Sequence, residues 1–170
     1  METYYAAVNH GKPVASFYVN SNATYSAAGQ LPADICINGE VLATPEEWDR
    51  RLQQQRQIQG VLATGQRTVP VRYTVETCDI HILNRDYRFA APPAMLVPDT
   101  RKPDLGASRR MMAMLTVSGF VKLGDDADSV KQQHFNDAFI LVPNWDVFGK
   151  HGSRKRYLIT SHNYRAFGET

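Results

Sequence analysis

The chain has 170 residues, 43% of them hydrophobic and 21% charged, with 19 Lys+Arg against 17 Asp+Glu and a formal net charge of +2. That length suits one domain of about 100–200 residues, large enough to bury roughly 70% of its unfolded surface without a metal or disulfide staple. A near-neutral balance argues against a surface built throughout for nucleic acid. Cys36 and Cys78 are the only cysteines and show no C-x-x-C spacing, which predicts two reduced core thiols in an intracellular protein. No apolar run approaches the ~18 residues of a membrane span, and Met1 opens no signal peptide. The expectation is a soluble nuclear or cytoplasmic protein with no membrane partner.

In chain order, Tyr4, Tyr5 and Val8, then Val14, Phe17 and Tyr18, are spaced for two short amphipathic helices broken at Gly11-Lys12-Pro13. Ile35–Val41 reads as a hairpin, with Asn38-Gly39 as its type I′ turn. Thr44-Pro45-Glu46-Glu47 starts a helix. Thr44 is placed to cap, Pro45 to open the first turn and Glu47 to complete a capping box. Trp48 and Leu52 give that helix its apolar stripe as far as about Gln57. From Val69 the period changes to two, and strands are predicted near 71–83, 111–123, 133–142 and 156–165. Helices followed by long strands predict an α+β fold with an antiparallel sheet.

Between the first two long strands, residues 85–110 form a basic, Pro-rich insertion of a length that is uncommon within a compact domain unless functional or disordered. Its six cations, Arg85, Arg88, Arg101, Lys102, Arg109 and Arg110, outweigh three aspartates by +3. A second segment carries Lys150, Arg154, Lys155 and Arg156 with no acid, a further +4, so the rest of the chain stands at −5. The body is acidic and the two loops are basic. Those ten cations are candidate RNA contacts through phosphate neutralisation, with steep salt dependence. A loop that is basic for solubility accounts for them equally well. The strip from Ala91 to Pro98 could dock on a partner as an extended apolar segment.

The strand faces are unequal. Met112, Met114 and Thr116 share one face of their strand, opposite Ala113, Leu115 and Val117. Asn136, Ala138 and Ile140 oppose Phe135, Phe139 and Leu141, and Ser161, Asn163 and Arg165 oppose Leu158, His162 and Tyr164. The bulky face suits packing against helices. A merely solvated face should carry Lys, Glu and Arg, whereas a face of methionine, small residues and amides suits the core of a protein–protein interface.

Taken together, the Tyr4-Tyr5 helix, Val14-Ala15-Ser16-Phe17-Tyr18, the Asn-Gly hairpin, the capped helix and the long strands resemble the nuclear transport factor 2 family along nearly the whole chain. Gln133-His134-Phe135-Asn136-Asp137-Ala138-Phe139-Ile140-Leu141 resembles the Phe-Asn-x-x-Phe-Ile-Leu strand of the small subunit of the nuclear mRNA export receptor. Ser161-His162-Asn163-Tyr164-Arg165-Ala166-Phe167 is similar to that subunit's closing strand. The long insertion resembles the fungal form.

The resemblance implies one α+β cone over residues 1–170, with N-terminal helices on a curved antiparallel sheet and a long internal loop. It implies a heterodimer docked sheet-to-sheet on a homologous domain of the larger receptor subunit, carrying mRNA and in fungi large ribosomal precursors. Nucleoporins would be met through that heterodimer, and the protein would work at the nucleus and nuclear pore while shuttling to the cytoplasm. The interface implied is Met112, Met114, Thr116, Asn136, Ala138, Ile140, Ser161, Asn163 and Arg165, with Arg165 pairing an acidic partner residue.

The same fold hosts isomerases and dehydratases that use a carboxylate and a histidine. Asp137 and His162 would meet inside the cone if their strands are neighbours, as a catalytic pair or as a satisfied buried pair. Asp79 and His81 share a face of their own strand. The five histidines lack ligand spacing, no glycine-rich phosphate loop is present, and Asp125-Asp126-Ala127-Asp128 lacks the glycine and glutamate of a calcium loop. Neither cofactor nor metal is expected, and the non-enzymatic reading is favoured.

Overall fold

Period-two alternation builds six strands, seen in a computed structural model that describes residues 2–58, 71–96, 110–123, 131–147 and 155–168. They are β1 (Asp34–Ile37), β2 (Glu40–Leu42), β3 (Val71–Asn84), β4 (Met112–Leu123), β5 (Lys131–Pro143) and β6 (Tyr157–Phe167). The helices are α1 (Glu2–Asn9), α2 (Ala23–Ala27), α3 (Pro45–Ile58) and the single turn α4 (Pro93–Leu96). The sheet order is β2-β1-β6-β5-β4-β3. All neighbours are antiparallel except β1 and β6, which run parallel. The sheet is therefore mixed rather than antiparallel. The chain leaves the hairpin through α3, and its last strand returns along β1 in the same direction.

α1 buries Tyr4, Tyr5 and Val8 on one face and ends at Gly11, whose φ of 64° is the left-handed conformation glycine adopts without a steric penalty. Lys12 N–H donates to Ala7 O at 2.9 Å and Gly11 N–H to Val8 O at 3.0 Å, a Schellman closure. The second helix expected at Val14–Tyr18 does not form. Two 3₁₀ turns, Ala15–Phe17 and Val19–Ser21, take its place, with Tyr18 extended between them. Asp49 of α3 accepts from the Val14 and Ala15 N–H groups at 2.6 and 3.2 Å. Tyr18 bridges to Ile159 of β6. These tertiary contacts override local periodicity.

The hairpin turns at Asn38 (φ 51°) and Gly39 (φ 90°), both left-handed as a type I′ turn requires. In α3 the Glu47 carboxylate reaches back to the Ala43 N–H at 3.0 Å, one residue before the position of a capping box. Its stripe buries Trp48 and Leu52, and Trp48 Nε1 donates to the Tyr4 hydroxyl at 3.0 Å. The core thus lies between the helices and one face of the sheet. Ring contacts bind it together, including Phe135 stacked on Tyr164 at 5.8 Å and Tyr4 edge-on to Phe139 at 5.3 Å.

The base of the insertion folds back on the body. Tyr87 N–H donates to Arg110 O at 2.7 Å, and Trp145 Nε1 to Phe89 O at 3.0 Å. α4 makes a helical turn where an extended strip was expected, since Pro93 opens a turn closed by Met95 N–H on Pro92 O. Cys36 is half-buried and Cys78 exposed, both free, so neither is a core thiol. Cys36 points away from the side that buries Ile35 and Ile37, and Cys78 lies on the half of β3 that the helices do not reach.

Candidate partner-docking face

Directly opposed antiparallel residues share a face, so register alone assembles the side of the sheet that carries no helices. One row across the strands is His81, Met114, Ile140, Ser161 and, on β1, Asp34. The next is Asp79, Thr116, Ala138, Asn163, Cys36 and Val41. A third holds Thr77, Ser118, Asn136 and Arg165. Eight of the nine residues expected at a partner interface fall in these rows, and Met112 lies beyond the first, opposite Asn84. Met112, Met114, Thr116, Ala138, Ile140 and Ser161 are half-buried, while Asn136, Asn163 and Arg165 are exposed. Ser118 Oγ donates to Asn136 Oδ1 at 2.7 Å, fixing one amide. Arg165 lies against the hairpin, its Nη1 3.1 Å from where a Cβ on Gly39 would stand. The guanidinium has no ion-pair partner among the described residues.

Other residues on this face were not among the interface candidates named from the sequence. A fourth row places Phe120, His134 and Phe167 beside one another, with Lys122 Nζ 5.3 Å from the Phe120 ring centroid. The period-two pattern that found Met112 and Met114 also contained Phe120. Asp34, Cys36 and Val41 belong here only because β1 pairs in parallel with β6, which a short hairpin does not announce.

On the opposite face, β5 and β6 are neighbours, and Asp137 and His162 do meet. Asp137 Oδ1 lies 2.8 Å from His162 Nε2, a close contact that falls short of hydrogen-bond alignment. Tyr5 O–H donates to Asp137 Oδ2 at 2.9 Å, and the Tyr18 hydroxyl lies 2.6 Å from His162 Nδ1. Burial and then the Asp137 charge hold the Tyr5 hydroxyl far above its ordinary pKa. Phe139 stacks on the His162 ring at 4.6 Å, and Trp48 packs against it edge-on. The side chains of His162 and Asp137 are 0% and 2% exposed, enclosed between the helices and the sheet. Asp79 and His81 stand on the other side of the sheet, outside the cone.

The basic candidates separate. Arg110 is buried, with Nη1 on Met95 O at 2.8 Å and Nη2 3.1 Å from Asp86. It pins the insertion and is withdrawn from the RNA set. Arg88 also pairs with Asp86. Lys155 donates to Ser16 Oγ at 2.5 Å and lies 4.4 Å from the Phe17 ring centroid. Arg85 and Arg156 are exposed. Arg101, Lys102, Arg109, Lys150 and Arg154 lie outside the described residues. Among the described residues no three His, Cys, Asp or Glu side chains converge as a metal site would require, and no helix is long and apolar enough to cross a membrane.

No protein-family model and no curated protein matches the chain. Solved structures do. A chain in a structure of a Sac3N peptide bound to Mex67:Mtr2 is 51% identical, with a TM-score of 0.83 over 98% of this chain and 94% of that one. A structure of Mtr2 is 50% identical, with a TM-score of 0.84 and the same coverage. A third, the Chaetomium thermophilum Mex67 NTF2-like domain complexed with Mtr2, gives 50%, a TM-score of 0.80 and coverage of 98% and 93%.

Proposed function

Because the chain belongs to the Mtr2 family, we propose that it is the small subunit of a heterodimeric mRNA export receptor, docking its open sheet face on the NTF2-like domain of a Mex67-type larger subunit. The observation that carries the reading is the continuity of that face. Methionines, an isoleucine, small residues and amides occupy adjacent register rows with one unpaired arginine among them, the composition of an interface core rather than a solvated sheet. Met112, Met114, Thr116, Asn136, Ala138, Ile140, Ser161 and Asn163 supply shape and polar contacts, and Arg165 takes a carboxylate of the larger subunit. The assembled pair would accept a Sac3-type peptide, as its relative does, and would act at the nuclear pore while shuttling between nucleus and cytoplasm. Nucleoporins would be met through the pair, and Arg85, Arg156 and the outlying cations of the two basic segments would be the contacts for RNA or ribosomal precursors.

Co-expression with the NTF2-like domain of the larger subunit should yield a 1:1 heterodimer, where the chain alone is poorly soluble. Arg165→Glu should weaken that complex by about 2–5 kcal/mol, because it replaces a buried pair with like charges. A well-behaved monomer that ignores the larger subunit and turns over a small ketone or alcohol would refute the proposal.

A further inference from the structure

A change of phase within β3 decides which of its side chains reach the docking face. From Val71 to Val75 the odd-numbered residues point inward, Val71 opposite Leu123, Tyr73 opposite Val121 and Val75 opposite Gly119. The register then jumps to Thr77 opposite Ser118, leaving Glu76 as the extra residue of a β-bulge. Beyond it, Cys78, Ile80 and Ile82 follow Val117, Leu115 and Ala113 to the inner side, while Asp79 and His81 follow Thr116 and Met114 to the open side. An unbroken period of two would have done the reverse. Gly119 permits the jump, since a Cβ there would lie 2.0 Å from Thr74 O and 3.1 Å from Val75 Cα, a backbone approach that no other residue allows.

The bulge thus exchanges two isoleucines for a carboxylate and an imidazole on the docking face. Asp79 is exposed and has no hydrogen bond or ion pair among the described residues. It stands three strands from Arg165 and one register row away, roughly 15 Å at ~4.8 Å per strand. That exceeds the ~10 Å Debye length at 0.1 M salt, so the two charges do not neutralise each other across the sheet. If a partner covered Asp79 without an opposite charge, the carboxylate would lose its hydration and gain nothing in return.

We infer that Asp79, flanked by His81, is a second ionic recognition point of the docking face, opposite in sign to Arg165, and that it receives a lysine or arginine of the larger subunit. The inference rests on the docking reading given above. Two separated points of opposite sign admit one orientation of the partner and repel the reversed one.

The test uses the full chain co-expressed with the NTF2-like domain of the larger subunit, with affinity measured from dissociation of the purified heterodimer on dilution at about 0.05 M and about 0.5 M salt. Asp79→Lys should weaken binding about tenfold or more at low salt and less at high salt, with Asp79→Asn between it and the parent. Arg165→Glu serves as the control for the docking reading, and circular dichroism confirms that each variant is folded. Parent-like affinity for Asp79→Lys at both salts, with Arg165→Glu still defective, overturns the inference and leaves the docking reading standing. Parent-like affinity for both variants overturns the two together.

Discussion

Asp137→Ala removes the acceptor of the buried Tyr5 hydroxyl. That hydroxyl loses its 2.9 Å bond, and His162 Nε2 loses the carboxylate 2.8 Å away, at a place bulk solvent does not reach because the two side chains are 0–2% exposed. A buried polar group stranded in this way costs about 1–3 kcal/mol, a substantial share of the ~5–15 kcal/mol by which a domain of this kind is stable.

The measurement is calorimetric unfolding of the purified heterodimer at fixed concentration, because partner binding raises the midpoint by mass action. At about 2–4 °C per kcal/mol for a domain of this size, the midpoint should fall by roughly 2–12 °C. Tyr5→Phe alone should cost about 1 kcal/mol. The double variant should be milder than the sum of the singles by about 1–2 kcal/mol, since the hydroxyl that Asp137→Ala strands is already gone. A drop below about 2 °C with strictly additive singles would refute the view that this cluster braces the fold.

Alkaline pH should unfold the chain cooperatively. Burial raises the hydroxyl pKa of Tyr4, Tyr5, Tyr18, Tyr25 and Tyr164 and pushes Tyr73 up to about 12. The folded values exceed the unfolded value near 10, so this stabilisation is complete below pH 10 and is lost as pH rises from there towards the folded values. At about 1.4 kcal/mol per group and pH unit, six groups predict loss of circular dichroism within about two units, together with phenolate absorbance; gradual titration without unfolding would contradict it. For the insertion, deleting 97–109 with a glycine bridge from Leu96 to Arg110 should spare heterodimer formation and weaken RNA or ribosome association. The longer deletion of 90–108 also removes the Met95 carbonyl that Arg110 holds at 2.8 Å and should cost stability as well. If RNA association at low salt survives both deletions, the insertion is passive.

The elements that were legible in the sequence are those fixed by local chemistry. The Asn38-Gly39 turn, the start of α3 at Pro45 and the four long strands follow from backbone conformation and period two. The residues of the open face were legible for the same reason on β4 and β5, where pairing runs from Ala113–Leu141 to Leu123–Lys131 without a break in register. What escaped depended on partners distant in sequence. The 3₁₀ turns after Val14 exist because Asp49 takes their N–H groups, the parallel β1–β6 pair joins Asp34 to Ser161, and a glycine on β4 sets the phase of β3. On β6 an irregularity between the Ile140–Ser161 and Leu141–Ile159 pairs likewise buries Ile159, which simple alternation would have left beside Ser161 and Asn163. Arg110 looked like the other cations of its segment because sequence carries no sign of the Asp86 and Met95 groups that enclose it.

The two faces of this sheet carry different chemistry. On the inner one, Tyr4, Trp48 and Phe139 lie against His162 with centroids 4.6–6.2 Å away. Those rings come from α1, α3 and β5, so the Asp137–His162 pair ties three elements to β6. A helix layer braced in this way holds the strands in one register, and the opposite face can then present Met114, Ile140, Asn163 and Arg165 in fixed positions to a partner. Docking is therefore predicted to fail with temperature when Asp137 is lost and to fail at every temperature when Arg165 is reversed, because the first residue supports the face and the second belongs to it.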